Sequence, residues 1–512
     1  MPPSETASVR LAAARAPNDS MTKKNDPIDS ASAPENRKTC PRAAAAPLRE
    51  AVAVACLVAI ILGSVEPASA AGNPLNSSEH PGGDTTAPRP ARGHNDFTIV
   101  PVAGGTTDIG IGGGFFAALT RNEAGYTPFA WNLEGAGFVS FLVKDRTLVL
   151  PYTDVYSKLT VMRFLGGPLQ LEVRPSFTDE VTLDYYGMGN ASAAVVPARR
   201  APTYFEYGRI HPELLADVRF KILDHFAGRV GLRYVETWLA IPADSKLGED
   251  LRGGSREVRA LIGPTGTEGA ALFRYGLQFD DRDNEVSPHK GTFDELAFNW
   301  SPGGIPALPF RYGEASVNLR GYVPLFSKRF TLAARIVGDV LFGDVPFYEL
   351  SRAVDTYAIG GSNGVRGVPA QRYYGKVKVF GNVEVRARLF DFRLFGKALT
   401  MGAAGFFDGG RVWADTTPHP ELDGTALGLK YGAGGGLRLM SGTAFVLRAD
   451  VAWSPDAAPI GGYVVAGESF RGDGALERAF ASLRGANVRR LRERRDAVAF
   501  DSRSESLRQP SK

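Results

Sequence analysis

Residues 377–389 alternate with a period of two. Val377, Val379, Val383, Val385, Ala387 and Leu389 hold one parity, and Lys378, Asn382, Glu384, Arg386 and Arg388 hold the other, with Phe380 the one exception. Successive side chains of a strand point to opposite faces, so this is a strand with one oily and one largely charged face. A soluble sheet would bury the oily face against a core, whereas a membrane barrel turns it to lipid and keeps the charged face in a wet lumen. Leu399, Met401, Ala403 and Phe407 against Thr400 and Asp408 repeat the device. In 312–325, Glu314, Ser316, Asn318 and Arg320 oppose Ala315, Val317, Leu319 and Val323, and in 444–453 Arg448 and Asp450 oppose Phe445, Leu447, Val451 and Trp453. Polar residues at every second position fit a lumen better than a sandwich.

The same punctuated pattern predicts fifteen strands, at 108–120, 129–142, 147–161, 169–177, 204–223, 227–239, 271–279, 292–300, 312–325, 330–340, 377–389, 399–407, 431–440, 444–453 and 462–470. No long helical period interrupts them, which excludes a βαβ enzyme fold. Barrels of one bacterial chain close on an even number. The expectation is therefore an all-β fold, a closed antiparallel transmembrane β-barrel of sixteen strands, occupying residues 97–470. Tyr185, Tyr186, Trp238, Trp300, Tyr322, Trp413 and Trp453 lie near strand ends, where interfacial aromatic girdles are expected.

Composition changes this picture little. A hydrophobic content of 44% looks soluble, as does a mean hydropathy of -0.12, and no run reaches the ~18 to 20 apolar residues of a membrane helix. A barrel has the same mild average, because half of each strand is polar. Targeting is more informative. An apolar run at 51–62 follows Arg37, Lys38, Arg42 and Arg49 and precedes Ala68-Ser-Ala70. That order reads as a secretory signal peptide over 1–70 with a long basic region, in which Met21 is an alternative start. Cys40 and Cys56 both fall inside it, so no disulfide framework or thiolate metal site is expected after cleavage. Residues 71–96, rich in Gly, Pro, Ser and Asn, read as a disordered linker. Residues 471–512, with Arg489, Arg490, Arg492, Arg494 and Arg495, read as a basic periplasmic tail that could touch anionic headgroups or a partner. A net charge of +4 gives no basis for nucleic-acid binding.

Candidate chemistry gathers around Ile359-Gly-Gly-Ser-Asn-Gly-Val-Arg-Gly367. Its Gly-Gly-Ser-Asn-Gly matches the serine-hydrolase elbow only formally. Pro369 and an extended segment follow where a helix is required, and His211, His225, His289 and His419 offer no evident base. A hydrolase would lose its activity in Ser362→Ala; none is expected. Asp280-Asp-Arg-Asp-Asn284 lacks the spacing and closing Glu of a calcium loop and reads as a hairpin rim. No cofactor or metal site is expected. Arg366 in the glycine loop and the inward acids Glu384 and Asp408 instead form a candidate buried ionic cluster tying loop to lumen.

At these residues the chain resembles a known family. Gly360-Gly-Ser-Asn-Gly-Val-Arg-Gly367 is similar to the loop motif of BamA/TamA-type outer-membrane assembly proteins, the bacterial surface antigen family. Asp280 to Asn284 with Pro288 and Gly291 resembles that family's hairpin, and Phe406-Phe-Asp-Gly-Gly-Arg-Val-Trp413 its Phe-x-Asp-x-Gly strand. Gly462-Tyr-Val-Val-Ala-Gly-Glu-Ser-Phe470 resembles its closing strand, with Gly467 and Phe470 as the closing signal, and Tyr185-Tyr-Gly-Met-Gly-Asn190 a turn seen in many members. Val368 stands where the family usually has an aromatic.

The resemblance implies an outer-membrane barrel with both termini in the periplasm. It also implies a glycine loop (Gly360, Gly361, Val365, Arg366, Gly367) folded into the lumen, with Arg366 held by Asp408 and Glu384. It further implies assistance with insertion or translocation of proteins or lipids through a weak strand seam. That seam is expected between 108–120, weakened by Gly110, Gly112, Gly113 and Gly114, and 462–470. Residues 71–96 leave no room for the POTRA receiver domains of assembly members, so delivery would fall to a periplasmic accessory protein. Outer-membrane lipids and client outer-membrane proteins are the other expected partners of a monomer. The alternative is a passive outer-membrane channel or structural barrel.

Overall fold

The computed structural model describes residues 93–466, apart from breaks at 127, 145–146, 194–195, 198–199, 328, 354–355, 358, 395–396, 442–444 and 457–459. All of them lie in one compact unit, Pro47–Lys512. The expected signal peptide, Gly467, Phe470 and the basic tail lie outside the described residues.

Sixteen strands make the wall. They are β1 (His94–Thr106), β2 (Gly110–Asn122), β3 (Trp131–Lys144), β4 (Tyr152–Phe164), β5 (Leu169–Asp184), β6 (Glu206–Lys221), β7 (Phe226–Ala240) and β8 (Thr267–Asp280). The circuit continues through β9 (Gly291–Ser301), β10 (Tyr312–Leu325), β11 (Phe330–Gly343), β12 (Val377–Leu394), β13 (Lys397–Trp413), β14 (Lys430–Ser441), β15 (Phe445–Trp453) and β16 (Gly461–Ala466). A three-residue piece, Thr147–Val149, pairs with the end of β3 and extends the β4 side of that hairpin. Each strand pairs antiparallel with the next, and β16 returns to β1, so the sheet is closed.

The two faces are inverted relative to a soluble sheet. Along β12, Lys378, Phe380, Asn382, Glu384 and Arg386 are buried while Val379, Val383, Val385 and Leu389 are exposed. Phe115, Leu133, Leu232, Leu277, Leu296, Phe298 and Phe407 carry the oily outer face around the wall. Buried charge inside and exposed hydrocarbon outside is the pattern that lipid selects. No helix of the described residues is long and apolar enough to cross a membrane.

Two expectations are corrected here. The sixteenth strand is β1, His94–Thr106, which starts inside the stretch read as linker; the first strand is not 108–120, which corresponds to β2. Pro101 and the Gly104-Gly105 pair broke its alternation, and Pro and Gly are depleted in strand interiors. The glycines at 110 and 112–114 therefore sit one strand away from the closing edge. Of the girdle candidates, Trp238, Trp300 and Trp453 do face outward, but Tyr185 and Tyr322 are buried inside.

The two mouths differ. One carries mostly short turns, 165–168, 222–225 and 326–329 among them. The other carries the long connections 185–205, 241–266, 344–376 and 414–429. Two short helices, α1 (Lys246–Gly253) and α2 (Arg256–Ile262), sit in the second of these, each capped by a serine oxygen, Ser245 and Ser255. Their apolar residues Leu247, Leu261 and Ile262 join Tyr185, Tyr207, Tyr312, Phe347, Tyr348 and Tyr374 in a compact apolar layer, to which both wall strands and loops contribute.

Candidate functional site: a lumen plug and a short seam

The connection between β11 and β12, residues 344–376, folds into the barrel. Its tip reaches the inner wall through Arg366, which is 1% exposed, against Glu384 and Asp408 at 0%. Arg366 Nε donates to Asp408 Oδ2 at 2.7 Å and Nη2 to Asp408 Oδ1 at 2.8 Å, a two-pronged grip on one carboxylate. The Arg366 backbone N–H adds a third bond to Asp408 Oδ2 at 3.1 Å. Nη1 reaches Glu384 Oε1 at 2.5 Å and Asp450 Oδ2 at 3.3 Å. The guanidinium carbon lies 3.4 Å from the centroid of the Phe406 ring, on the same strand as Asp408.

Arg386, Arg438 and Arg448 complete the cluster, Arg386 against Glu384 at 2.8 Å, Arg448 against Asp450 at 3.3 Å, and Arg438 against Asp450 and, at 3.8 Å, Glu384. Charges buried this deeply persist only when each is paired and hydrogen-bonded. The sequence pattern put Arg366, Glu384 and Asp408 together, and the fold places all three in one contact. It did not single out Asp450, although the inward parity of that residue on 444–453 was on view.

Neutral bonds finish the docking. Asn382 Nδ2 donates to Gly364 O at 2.7 Å, and Arg448 Nη2 to Ser362 O and Asn363 Oδ1, both at 2.9 Å. Arg335 also donates to the Asn363 carbonyl. The Ser362 carbonyl is thus committed to the wall. Gly367 adopts φ +94°, and a Cβ there would lie 2.9 Å from the Trp453 carbonyl carbon. At Gly432 a Cβ would collide with the Arg366 carbonyl oxygen, so this wall glycine is what lets the loop backbone approach. Gly360 and Gly361 also take positive φ, and Val365 and Val368 are fully buried with Ile359, Tyr373, Phe380 and Val412.

A second anchor, which the sequence pattern did not reveal, holds the opposite end of the plug. The 3₁₀ turn Phe347–Ser351 presents Glu349, whose Oε1 accepts from Arg233 Nη1 of β7 at 2.7 Å and from the Tyr312 hydroxyl at 3.4 Å. Arg233 Nε in turn donates to Glu213 Oε2 of β6 at 2.6 Å. Lys378 bridges Asp339 at 2.9 Å and the Glu349 carbonyl at 3.3 Å. The plug is therefore tied to β6–β7 on one wall and to β12–β15 on the other.

The remaining motifs serve the same frame. In the β8–β9 turn, Asp283 Oδ1 accepts from the backbone N–H groups of His289 and Lys290, and Asn284 Oδ1 from those of Val286 and Ser287. Arg282 pairs with Asp280 at 2.7 Å and stacks on Phe293. The polar run is turn chemistry. Val286, at its tip, packs with Met440 and Val446 across the mouth. Tyr185 to Asn190 docks on the plug from the other mouth, where Gly189 N–H donates to Tyr374 O and Tyr185 meets Phe347 and Tyr374 edge-on.

Among the described residues the closure is short. β1 and β2 pair along their whole length, His94 to Thr106. Among the described residues β1 and β16 pair at Gly105↔Val464 and Thr106↔Tyr463, with one further bond from Thr107 N–H to Gly462 O at 3.0 Å. Among the described residues, 94–104 of β1 have no strand partner on that side.

A model of the Omp85 superfamily domain matches residues 227–463. Among solved structures, the chain is similar to BamA from Haemophilus ducreyi lacking POTRA domains 1-3, at 16% identity over 73% of this chain and 70% of that chain, with a TM-score of 0.50. CdiB from Escherichia coli aligns at 14% identity over 72% of this chain and 62% of that chain, with a TM-score of 0.44. No curated protein matches. The closed sixteen-strand wall, oily outside and charged within, is thus a β-barrel of the outer-membrane kind that carries an Omp85 superfamily domain over 227–463.

Proposed function

We propose that this barrel assists the insertion or translocation of proteins or lipids at the outer membrane, with the β1–β16 seam as the working edge. The observation that carries the reading is the closure by two residue pairs among the described residues, beside a neighbouring ladder that runs the full length of β1. In hydrocarbon an unpaired backbone N–H or C=O costs several kcal/mol. A closing edge held by few rungs therefore favours exchange with anything that offers more of them, such as an incoming strand of a client protein. Short turns normally face the periplasm and long loops the exterior. On that rule the plug enters from outside and the β8–β9 turn faces the periplasm, the side from which clients or an accessory protein would arrive.

A plug anchored on two walls works against a standing pore, which makes the passive-channel alternative the weaker one. Depletion of the protein followed by outer-membrane proteome and lipid profiling tests the choice. Loss of a defined set of outer-membrane proteins, or altered lipid distribution, is the expected result. An unchanged envelope together with a stable open conductance of the purified protein would assign a passive channel instead.

A further inference from the structure

We infer that the plug loop is the clasp of the seam, and that Tyr463 and Asp108 are the positioning residues through which it holds the two edges together. The inference rests on the reading of the seam as the working edge. Its observations are separate ones. The Tyr463 hydroxyl, on β16, accepts from the Gly367 N–H at 2.9 Å. The Asp108 carboxylate, in the turn that joins β1 to β2, accepts from the Ala370 N–H at 3.2 Å. Tyr463 is itself the ladder partner of Thr106, and Asp108 lies two residues beyond Thr106. One short stretch of loop, 367 to 370, thus grips the last strand with one amide and the first hairpin with another.

The grip is rigid. Gly367 follows Arg366, which is fixed to Asp408, Glu384 and Asp450, and Asp450 is the β15 residue paired with Tyr463. The tyrosine is 2% exposed and its hydroxyl packs over Gly461, where a Cβ would stand 2.6 Å from the oxygen, so the glycine is what lets the phenol reach the loop. On the other edge, Thr106 Oγ1 accepts from the Asp108 and Ile109 N–H groups and fixes the turn. Parting the seam must therefore break a loop bond on at least one edge. By linkage, whatever displaces the loop from the lumen loosens the seam to the same degree.

Amide hydrogen exchange on the full chain in bilayer nanodiscs tests this, with Tyr463→Phe, Asp108→Ala and Asp108→Asn. Loss of one hydrogen bond is expected to speed exchange about five- to tenfold in peptides covering 103–109, 461–466 and 367–370, while the β6–β7 ladder stays as in the parent. Asp108→Asn, whose amide oxygen still accepts, is expected to exchange like the parent. The clasp is overturned if neither Tyr463→Phe nor Asp108→Ala changes exchange at 103–109 and 461–466, or if Asp108→Asn behaves like Asp108→Ala. Should the exchange pattern hold while depletion leaves the envelope unchanged, the clasp stands and the assembly reading falls. An assembly defect on depletion, without the exchange pattern, removes the clasp and leaves the assembly reading standing.

Discussion

Arg366 sits where a cation should be least welcome, and it stays because the wall surrounds it with acids. Four guanidiniums (Arg366, Arg386, Arg438, Arg448) share three carboxylates (Glu384, Asp408, Asp450). Asp408 is gripped by Arg366, whereas the other three arginines engage Glu384 and Asp450, so removing Arg366 strips a buried carboxylate of its counter-charge, at about 3–5 kcal/mol. Arg366→Ala is therefore expected to lose that much stability in urea titrations of the bilayer-folded barrel. Arg366→Lys should recover only part of it, since an ammonium keeps the charge but not the fork that engages both Asp408 oxygens. Asp108 lies in a turn outside the wall, where burial pushes its carboxyl up to about 6 from 3.8, against the Ala370 amide that pulls it down, with Asp184 nearby raising it further. A raised carboxyl pKa means that folding takes up a proton between those values. This group's contribution to stability accordingly grows as pH falls through about 6 and is complete below 3.8. Asp108→Asn should flatten that slope in unfolding measured from pH 7 to 4. At this scale the sequence was informative about faces and silent about heights. Parity put Glu384, Asp408 and Asp450 in the lumen alike, but which inward acids share one layer depends on strand stagger, and alternation does not encode stagger.

The plug acts as a strut whose two ends were unequally visible in the sequence. Its tip carries glycines and an arginine, a composition that marks special backbone geometry, and it was found from them. Its other end, Phe347–Ser351, is a single 3₁₀ turn too short to show a period, and Glu349 is recognisable only once Arg233 is seen opposite. Glu349→Gln is expected to free Arg233 to Glu213 alone and to raise hydrogen exchange at 345–353 without moving 362–367, because the Arg366 anchor is independent of it. Val368 makes a sharper test of packing. It stands where related loops carry an aromatic, yet here it is fully buried among Ile359, Val365, Tyr373, Phe380 and Val412. With Tyr373 and Phe380 already present there, a larger ring has no space, so Val368→Phe should destabilise by about 1–3 kcal/mol. The readout would be a lower urea midpoint at unchanged slope. β1 belongs to the same lesson. A strand broken by Pro101 and Gly104-Gly105 carries little pattern, and the feature that hid it also weakens the edge at which the barrel closes.

The whole molecule rests on one inversion, hydrocarbon outward and charge inward, and a single outward residue can test it. Val385 of β12 is 45% exposed and lies between Glu384 and Arg386, which are both buried. If water bathed the outer face, Val385→Arg would be a surface substitution, worth no more than about 0.5 kcal/mol in either direction. If lipid bathes it, an arginine near the middle of a spanning strand costs about 2–4 kcal/mol. Equilibrium folding into phosphatidylcholine vesicles separates these values. The larger loss is expected for Val385→Arg, with a smaller one for an arginine placed at Leu394, at the end of β12 near the turn-bearing mouth, where the side chain can reach headgroups. The depth dependence is the discriminating part. A soluble sheet has no reason to grade the penalty along a strand, whereas a bilayer does, and the same gradient bears on the seam. Among the described residues β1 meets β16 through Gly105 and Thr106, so the rungs that close the wall there lie at one end of the strand. Where hydrocarbon bathes a wall strand each missing rung is costly. The two described rungs and the two loop bonds are therefore the contacts that the proposed seam would have to give up before another strand could pair with β1.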